Sequence, residues 1–87
     1  MKWYRLAADQ GFAKAQHNLG FLYLNGLGVL QDYTIAHMWF NIGSANGQEK
    51  STTSRDLLAK KMTPQIIETA QAMARKCMSS SYTKCGY

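Results

Sequence analysis

The sequence predicts an all-α protein built from short antiparallel helix pairs that stack on one another. A pattern of aromatic residues and glycines occurs twice in the chain. Trp3 and Trp39 lie 36 residues apart. Gly11 and Gly47 repeat the same interval. A period of 20–50 residues is typical of helical-repeat arrays. Apolar residues also recur at spacings of three and four, whereas no segment alternates with the period of two that marks a strand.

Length and composition indicate one folded domain. The chain has 87 residues, of which 46% are hydrophobic and 17% charged, and it contains one proline. These values are typical of globular rather than disordered sequences.

No stretch approaches the ~18 apolar residues of a membrane span, and the first residues do not form a signal peptide. As written, the sequence predicts a cytoplasmic protein. A periplasmic or secreted location would follow if an export signal preceded Met1, so the compartment stays open.

The first complete predicted helix covers about residues 13–24. Ala15, Leu19 and Leu22 follow the spacing of one helix face and predict an amphipathic helix. Gly26 closes it, because glycine tolerates the left-handed backbone that ends helices. The core face of this helix also carries Gln16, Gly20 and Tyr23.

The second predicted helix begins after Asp32, whose carboxylate can cap its first turn. It is expected to stop near residues 46–47 and to bury Trp39 between two helices. The residues assigned to this helix and its core face are Ile35, Ala36, Trp39, Phe40, Ile42 and Gly43.

Two more helices are predicted in the second half of the chain. Residues 49–61 begin with a polar stretch and continue into Leu57 and Leu58, one of which should take the core position of Leu19. The last helix starts with Thr63 as cap and Pro64 as first residue. Its predicted core face holds Ile66, Ala70, Met73 and Cys77, and residues 79–87 are expected to form a flexible tail.

A family resemblance rests on Ala13, Ala15, Leu19, Gly20, Tyr23, Gly26, Gly28, Val29, Asp32, Ala36, Trp39, Phe40 and Gly47. With this pattern the chain resembles the Sel1-like repeats, relatives of the tetratricopeptide repeats that are abundant in bacteria. The resemblance implies a short right-handed α-solenoid over residues 1–78, formed by the C-terminal repeats of an array. It divides this domain into a partial repeat at 1–11, a full repeat at 12–47 and closing helices at 48–78.

The chain also departs from the family pattern. Leu30 stands where the family usually has proline, and Gly43 and Ser44 replace an alanine pair. The glycine is expected to loosen its helix. The first repeat lacks its first half, so either the chain is a fragment of a longer array or its N-terminal face is uncovered. In the second case the helix from Trp3 to Ala8 is expected to mediate self-association.

No set of reactive side chains is evident in the sequence. The five acidic residues are scattered, and His17 and His37 fall on different predicted helices. We therefore predict a protein without catalytic residues, metal ligands or cofactor, and not an enzyme.

The charge distribution leaves a second class of function open. Residues 1–49 hold three basic and three acidic residues, whereas residues 50–87 hold seven basic and two acidic ones, which gives the net charge of +5. A basic half is one feature of nucleic-acid-binding modules. The charges are dispersed over several helices, however, as on ordinary solvated faces, so this reading is the alternative.

The favoured reading is a non-catalytic protein-interaction module, acting as an adaptor, a scaffold or a small inhibitor. In related helical repeats the stripe opposite the core lines the concave surface, and the resemblance implies the same here. Phe21 is the one large aromatic residue of that stripe and the expected anchor, unless it packs against a neighbouring repeat or is an isolated exposed apolar residue. The candidate partner-binding residues are Lys14, His17, Asn18, Phe21, Leu24 and Asn25, together with Lys50 and Lys61 from the following helix.

The two cysteines, Cys77 and Cys85, allow either a disulfide or two free thiols. The redox state of the compartment decides between them, and the sequence does not identify that compartment.

Overall fold

The computed structural model describes residues 2–85 and consists of five helices joined by short turns. The helices are α1 (Lys2–Asp9), α2 (Ala13–Asn25), α3 (Tyr33–Ala45), α4 (Glu49–Ala59) and α5 (Pro64–Ser79). Over these residues there is no strand, so the all-α prediction is confirmed. Within the same range no helix is long and apolar enough to cross a membrane. The ends of the predicted repeat domain and tail, residue 1 and residues 86–87, lie outside the described residues.

Local capping signals fix where the helices begin and end. The carboxylate of Asp32 accepts a hydrogen bond from the backbone amide of Ile35 at 3.0 Å. Thr63 does the same for Ile66 at 3.2 Å. Gly26 follows α2 with a left-handed φ of 66°, a conformation that costs glycine little. These three predicted boundaries are confirmed.

Helix α3 is the centre of the molecule. It packs against α2, α4 and α5, whereas α1 packs on α2. Trp39 is fully buried on α3, as predicted. The other buried residues of this helix are Ala36, His37, Met38, Phe40, Ile42 and Gly43. The described residues extend 29 × 26 × 24 Å, so the helices surround α3 rather than form an elongated rod.

Two glycines allow the helices to approach closely. A Cβ atom at Gly20 of α2 would lie 2.5 Å from the ring of Phe40 on α3. A Cβ atom at Gly43 would lie 2.7 Å from the hydroxyl of Ser51 on α4. Gly43 thus makes room for close contact with α4, and the expectation that it loosens its own helix stays a prediction.

The structure decides which of two leucines on α4 belongs to the core, and it corrects one predicted core residue on α5. Leu58 is buried and takes the core position on α4, whereas Leu57 points outward. On α5, Ala70 and Cys77 are buried, as predicted. Ile66 is exposed instead, together with the neighbouring residues 63–65, because the first turn of α5 is not covered by another helix.

The chain folds back after α5. Cys77 and Cys85 are joined in a disulfide, and both are buried. Between them, the hydroxyl of Tyr82 accepts a hydrogen bond from the side-chain amide of Asn46 at 3.1 Å. The same amide donates to the buried Gln16 at 2.8 Å. In residues 80–85 the predicted tail therefore lies against the ends of α2 and α3.

Candidate functional site: a groove between α2 and α4

Helices α2 and α4 both pack on α3 and leave a groove between them, here called the α2/α4 groove. One half is lined by Phe21, Leu24, Ser54, Leu57, Leu58 and Lys61. The other half is lined by His17, Phe21, Lys50, Thr53 and Ser54. Phe21 and Ser54 line both halves, so the two halves adjoin each other.

The half near Lys61 is apolar. Leu58 is buried, whereas Phe21 is 40% exposed and Leu57 is 58% exposed. This half has a volume of about 220 Å³. Small-molecule and cofactor sites typically enclose about 300–1,000 Å³, so the space suits a single large side chain better than a cofactor.

Phe21 is held in place by two neighbouring rings. Its ring lies 4.9 Å from that of His17 and 5.4 Å from that of Phe40, in both cases edge to face. Such contacts are favourable for aromatic pairs. Phe21 therefore packs against rings of its own repeat and also presents part of its ring to the groove, and its role as an anchor for a partner stays a prediction.

His17 lies at the base of the other half. Its Nδ1 is 2.7 Å from the hydroxyl of Ser51, which is fully buried. Burial, followed by the charge of Lys50, lowers the pKa of His17. The ring is therefore mainly neutral at pH 7. Because the hydroxyl of Ser51 is enclosed, it cannot reach a substrate in the groove, so the pair fixes the orientation of the ring rather than forming a nucleophile and base.

The structure brings together five of the eight predicted partner-binding residues. His17, Phe21, Leu24, Lys50 and Lys61 line the α2/α4 groove. His17 does so from a position that is only 8% exposed, although the sequence placed it on an open stripe.

The other three predicted residues lie elsewhere. Lys14 and Asn18 line a separate surface between α1 and α2, together with Trp3 and Phe12. Asn25 is at the end of α2, where its side-chain amide donates a hydrogen bond to the carbonyl oxygen of Phe21 at 3.2 Å.

Sequence reasoning missed four lining residues on α4, namely Thr53, Ser54, Leu57 and Leu58, since the two leucines were predicted only as core candidates. A signal was present, because Lys50, Ser54, Leu57 and Lys61 follow helical spacings of four, three and four. The stretch of α4 before Leu57 contains no apolar residue, so the sequence pattern did not reveal this face of the helix.

The side chains that line the groove are suited to binding. Its lining combines apolar side chains, hydroxyls, a histidine and two lysines, and includes no carboxylate. Among residues 2–85, no group of three or more His, Cys, Asp or Glu side chains could hold a metal ion. The groove can thus accept an apolar side chain and anionic groups.

The arrangement of α1, α2 and α3 corresponds to a known repeat. The Sel1 repeat matches residues 1–12 and 13–48 of this sequence. The chain belongs to the Sel1 repeat family. The match ends one residue before α4 begins, so the assignment of residues 48–78 as closing helices stays a prediction.

A curated relative is the chitin synthase regulatory factor 3 of Schizosaccharomyces pombe, which is 39% identical over 49 residues. The aligned segment covers 56% of this chain and 5% of the relative. The similarity is thus confined to a small part of a much longer protein. Because this relative comes from a yeast, family membership does not assign a bacterial origin to the chain.

Proposed function

We propose that this chain is a non-catalytic protein–protein interaction module that binds a protein partner in the α2/α4 groove. It would act as an adaptor, a scaffold or a small inhibitor. Membership of the Sel1 repeat family supports the class of function. The name of the yeast relative, a regulatory factor, agrees with a role exerted on another protein.

The observation that carries this proposal is the pair of exposed apolar side chains in the groove. Phe21 and Leu57 line the same apolar half, next to a buried leucine. Isolated exposed apolar residues are common on protein surfaces, whereas a contiguous apolar recess marks a binding site. Aromatic and aliphatic anchors in such recesses carry most of the energy of protein interfaces.

The test compares Leu57→Ser with Leu30→Ser. Leu57 lines the groove, whereas Leu30 is even more exposed, at 90%, and lies in the loop before α3. Immobilised wild-type chain and both variants are used to capture proteins from the native host, and bound proteins are identified by mass spectrometry. We expect a partner that wild type and Leu30→Ser retain and that Leu57→Ser loses.

Circular dichroism and thermal unfolding of each variant keep the comparison interpretable. Both replaced side chains are largely exposed, so their melting temperatures should stay close to that of wild type. A partner that Leu57→Ser still captures would place the binding surface outside the α2/α4 groove. Turnover of a substrate by the purified chain would contradict the non-catalytic reading.

A further inference from the structure

The α2/α4 groove carries positive charge in both halves. Lys50 lines one half and Lys61 lines the other. No carboxylate lines either half, and the segment 50–87 holds the whole excess of basic residues. Fixed charge of one sign in a concave site attracts ligands of the opposite sign. A partner that complements this groove therefore carries two negatively charged groups, one facing each lysine.

Between these two lysines lies the apolar recess. Leu57 and Leu58 stand on α4 between Lys50 and Lys61, and Phe21 closes the recess from α2. A double-stranded nucleic acid, whose bases are already stacked on one another, would pair with the lysines but leave this apolar surface without a complementary group. A partner with an apolar side chain between two carboxylates satisfies both features.

We propose that the α2/α4 groove binds an acidic peptide segment that places one large apolar side chain in the recess formed by Phe21, Leu57 and Leu58. The carboxylates on either side pair with Lys50 and Lys61. The inference rests on the proposed function and specifies the chemistry of its partner. Near Lys50, the hydroxyls of Thr53 and Ser54 are also available to donate hydrogen bonds to a carboxylate.

The geometry of α4 sets the spacing of the peptide. At about 1.5 Å per residue, Leu57 is about 10 Å from Lys50 along the helix axis. Lys61 lies in the turn after Ala59, where its amide donates to the carbonyl oxygen of Leu58 at 2.9 Å, so at about 1.5–2 Å per residue it is about 6–7 Å beyond Leu57. An extended chain advances about 3.3 Å per residue and alternates its side chains between two faces, so a Glu on the same face as the anchor is about four residues away on the Lys50 side and about two on the Lys61 side. The long lysine side chain takes up the remaining difference. Two probes fit this spacing, one for each chain direction: Glu-Ser-Ser-Ser-Phe-Ser-Glu and Glu-Ser-Phe-Ser-Ser-Ser-Glu.

The first experiment measures binding of both peptides, acetylated, amidated and labelled with fluorescein, by fluorescence anisotropy with the full chain. Matched peptides replace both Glu residues by Gln, or Phe by Ala. We expect one direction of the acidic peptide to bind, and each replacement to weaken binding by about tenfold or more. The Glu-containing peptide should also lose affinity as salt is raised, whereas the Gln peptide should not.

The second experiment reverses the charges. Lys61→Glu should weaken binding of the acidic peptide, and a peptide with Lys at the position facing it should recover that loss. Arg75→Glu is the control, because it makes the same change of charge at an exposed position of α5, outside the groove lining. Recovery by the charge-swapped peptide distinguishes a local pair from an effect of net charge.

Several results would overturn this inference. Equal binding of the Glu and Gln peptides would show that charge does not select the partner. An equal loss with Arg75→Glu and Lys61→Glu would replace the local pair by a general electrostatic effect. Displacement of the peptide by an oligothymidylate, with affinity equal to that for the peptide, would indicate a nucleic-acid site.

Failure of the inference is distinguishable from failure of the proposed function. If neither acidic peptide binds while Leu57→Ser still abolishes capture of the partner, the groove is a protein-binding site and the acidic-peptide assignment is wrong. If Leu57→Ser retains the partner, the site itself is wrong.

Discussion

Gly20 shows how strongly one position can constrain the packing of two helices. The ring of Phe40 is fully buried and would lie 2.5 Å from a Cβ atom at this position. Gly20→Ala improves helix propensity by about 1 kcal/mol. Overpacking of a closed core typically costs about 1–3 kcal/mol, so the net effect is a loss of stability. We expect urea unfolding to show a lower midpoint for Gly20→Ala, and an unchanged or higher midpoint would mean that Phe40 can move aside.

The two histidines make stability depend on pH. Burial is the main cause that lowers the pKa of both, and Lys50 adds to it at His17. At His37, Arg55 lowers the pKa further and Asp56 raises it in part. Above the ordinary value of 6.5 both rings are neutral in the folded and unfolded chains. As the pH is lowered below this value, the unfolded chain binds protons before the folded chain does. The free energy of unfolding therefore decreases as the pH is lowered.

The measurable consequence is a lower melting temperature at about pH 5.5 than at about pH 7.5. His37 is the better position to test, because it is nearly fully buried and its Nδ1 has no hydrogen-bond partner within residues 2–85. His37→Gln should reduce the slope of melting temperature against pH, whatever its effect on stability at neutral pH. A slope equal to that of wild type would assign the pH dependence to other groups.

At the scale of elements, the sequence predicted what local chemistry decides. The caps at Asp32 and Thr63 and the turn at Gly26 each depend on residues within one helical turn, and all three are confirmed. Contacts between distant segments were not predictable in this way. Ser51 meets His17 across 34 residues, and Asn46 meets Gln16 across 30.

The candidate site shows the same limit. The spacing of α2 predicted that Phe21 and Leu24 share a face, and both line the groove. Which residues of α4 would oppose them depends on how α4 packs on α3, and this packing uses the small volume of Gly43. The sequence pattern of α4 alone did not indicate that close approach, so Ser54 and Leu57 were missed.

The disulfide between Cys77 and Cys85 joins the end of α5 to the segment that folds back after it. By the chain-entropy model, closing so short a loop stabilises the folded state by about 2–3 kcal/mol. We expect a thiol reductant to lower the urea midpoint of the wild-type chain to that of Cys85→Ser. The variant itself should not respond to the reductant. A wild-type midpoint that is unchanged by complete reduction would show that Tyr82 and its hydrogen bond hold the segment without the disulfide.

At the scale of the whole molecule, α3 and α1 are in opposite situations. Helix α3 is enclosed by α2, α4 and α5, which explains the complete burial of Trp39. Helix α1 packs on α2 and leaves Trp3, its counterpart in the repeat, 81% exposed. Equivalent residues of the two repeats therefore differ in burial because their helices differ in the number of neighbours.

The surface between α1 and α2 is apolar enough to associate with a second copy of the chain. Trp3, Tyr4 and Phe12 are exposed there, next to Lys14 and Asn18. Contiguous apolar patches on folded domains mark association surfaces, and a patch that pairs with itself gives a closed two-fold dimer. We predict concentration-dependent self-association through this surface, measured by sedimentation velocity across a wide range of protein concentration.

The variant that tests this prediction is Trp3→Arg, and Leu30→Arg is its control. Both positions are highly exposed and both changes add one positive charge, but only Trp3 lines the surface between α1 and α2. Trp3→Arg should sediment as a monomer where wild type and Leu30→Arg associate, because a charge cannot be buried between two copies without a partner. Since this surface is separate from the α2/α4 groove, Trp3→Arg should still capture the protein partner. Monomeric behaviour of the wild-type chain at every concentration would contradict the prediction, and loss of the partner by Trp3→Arg would mean that the two surfaces act together.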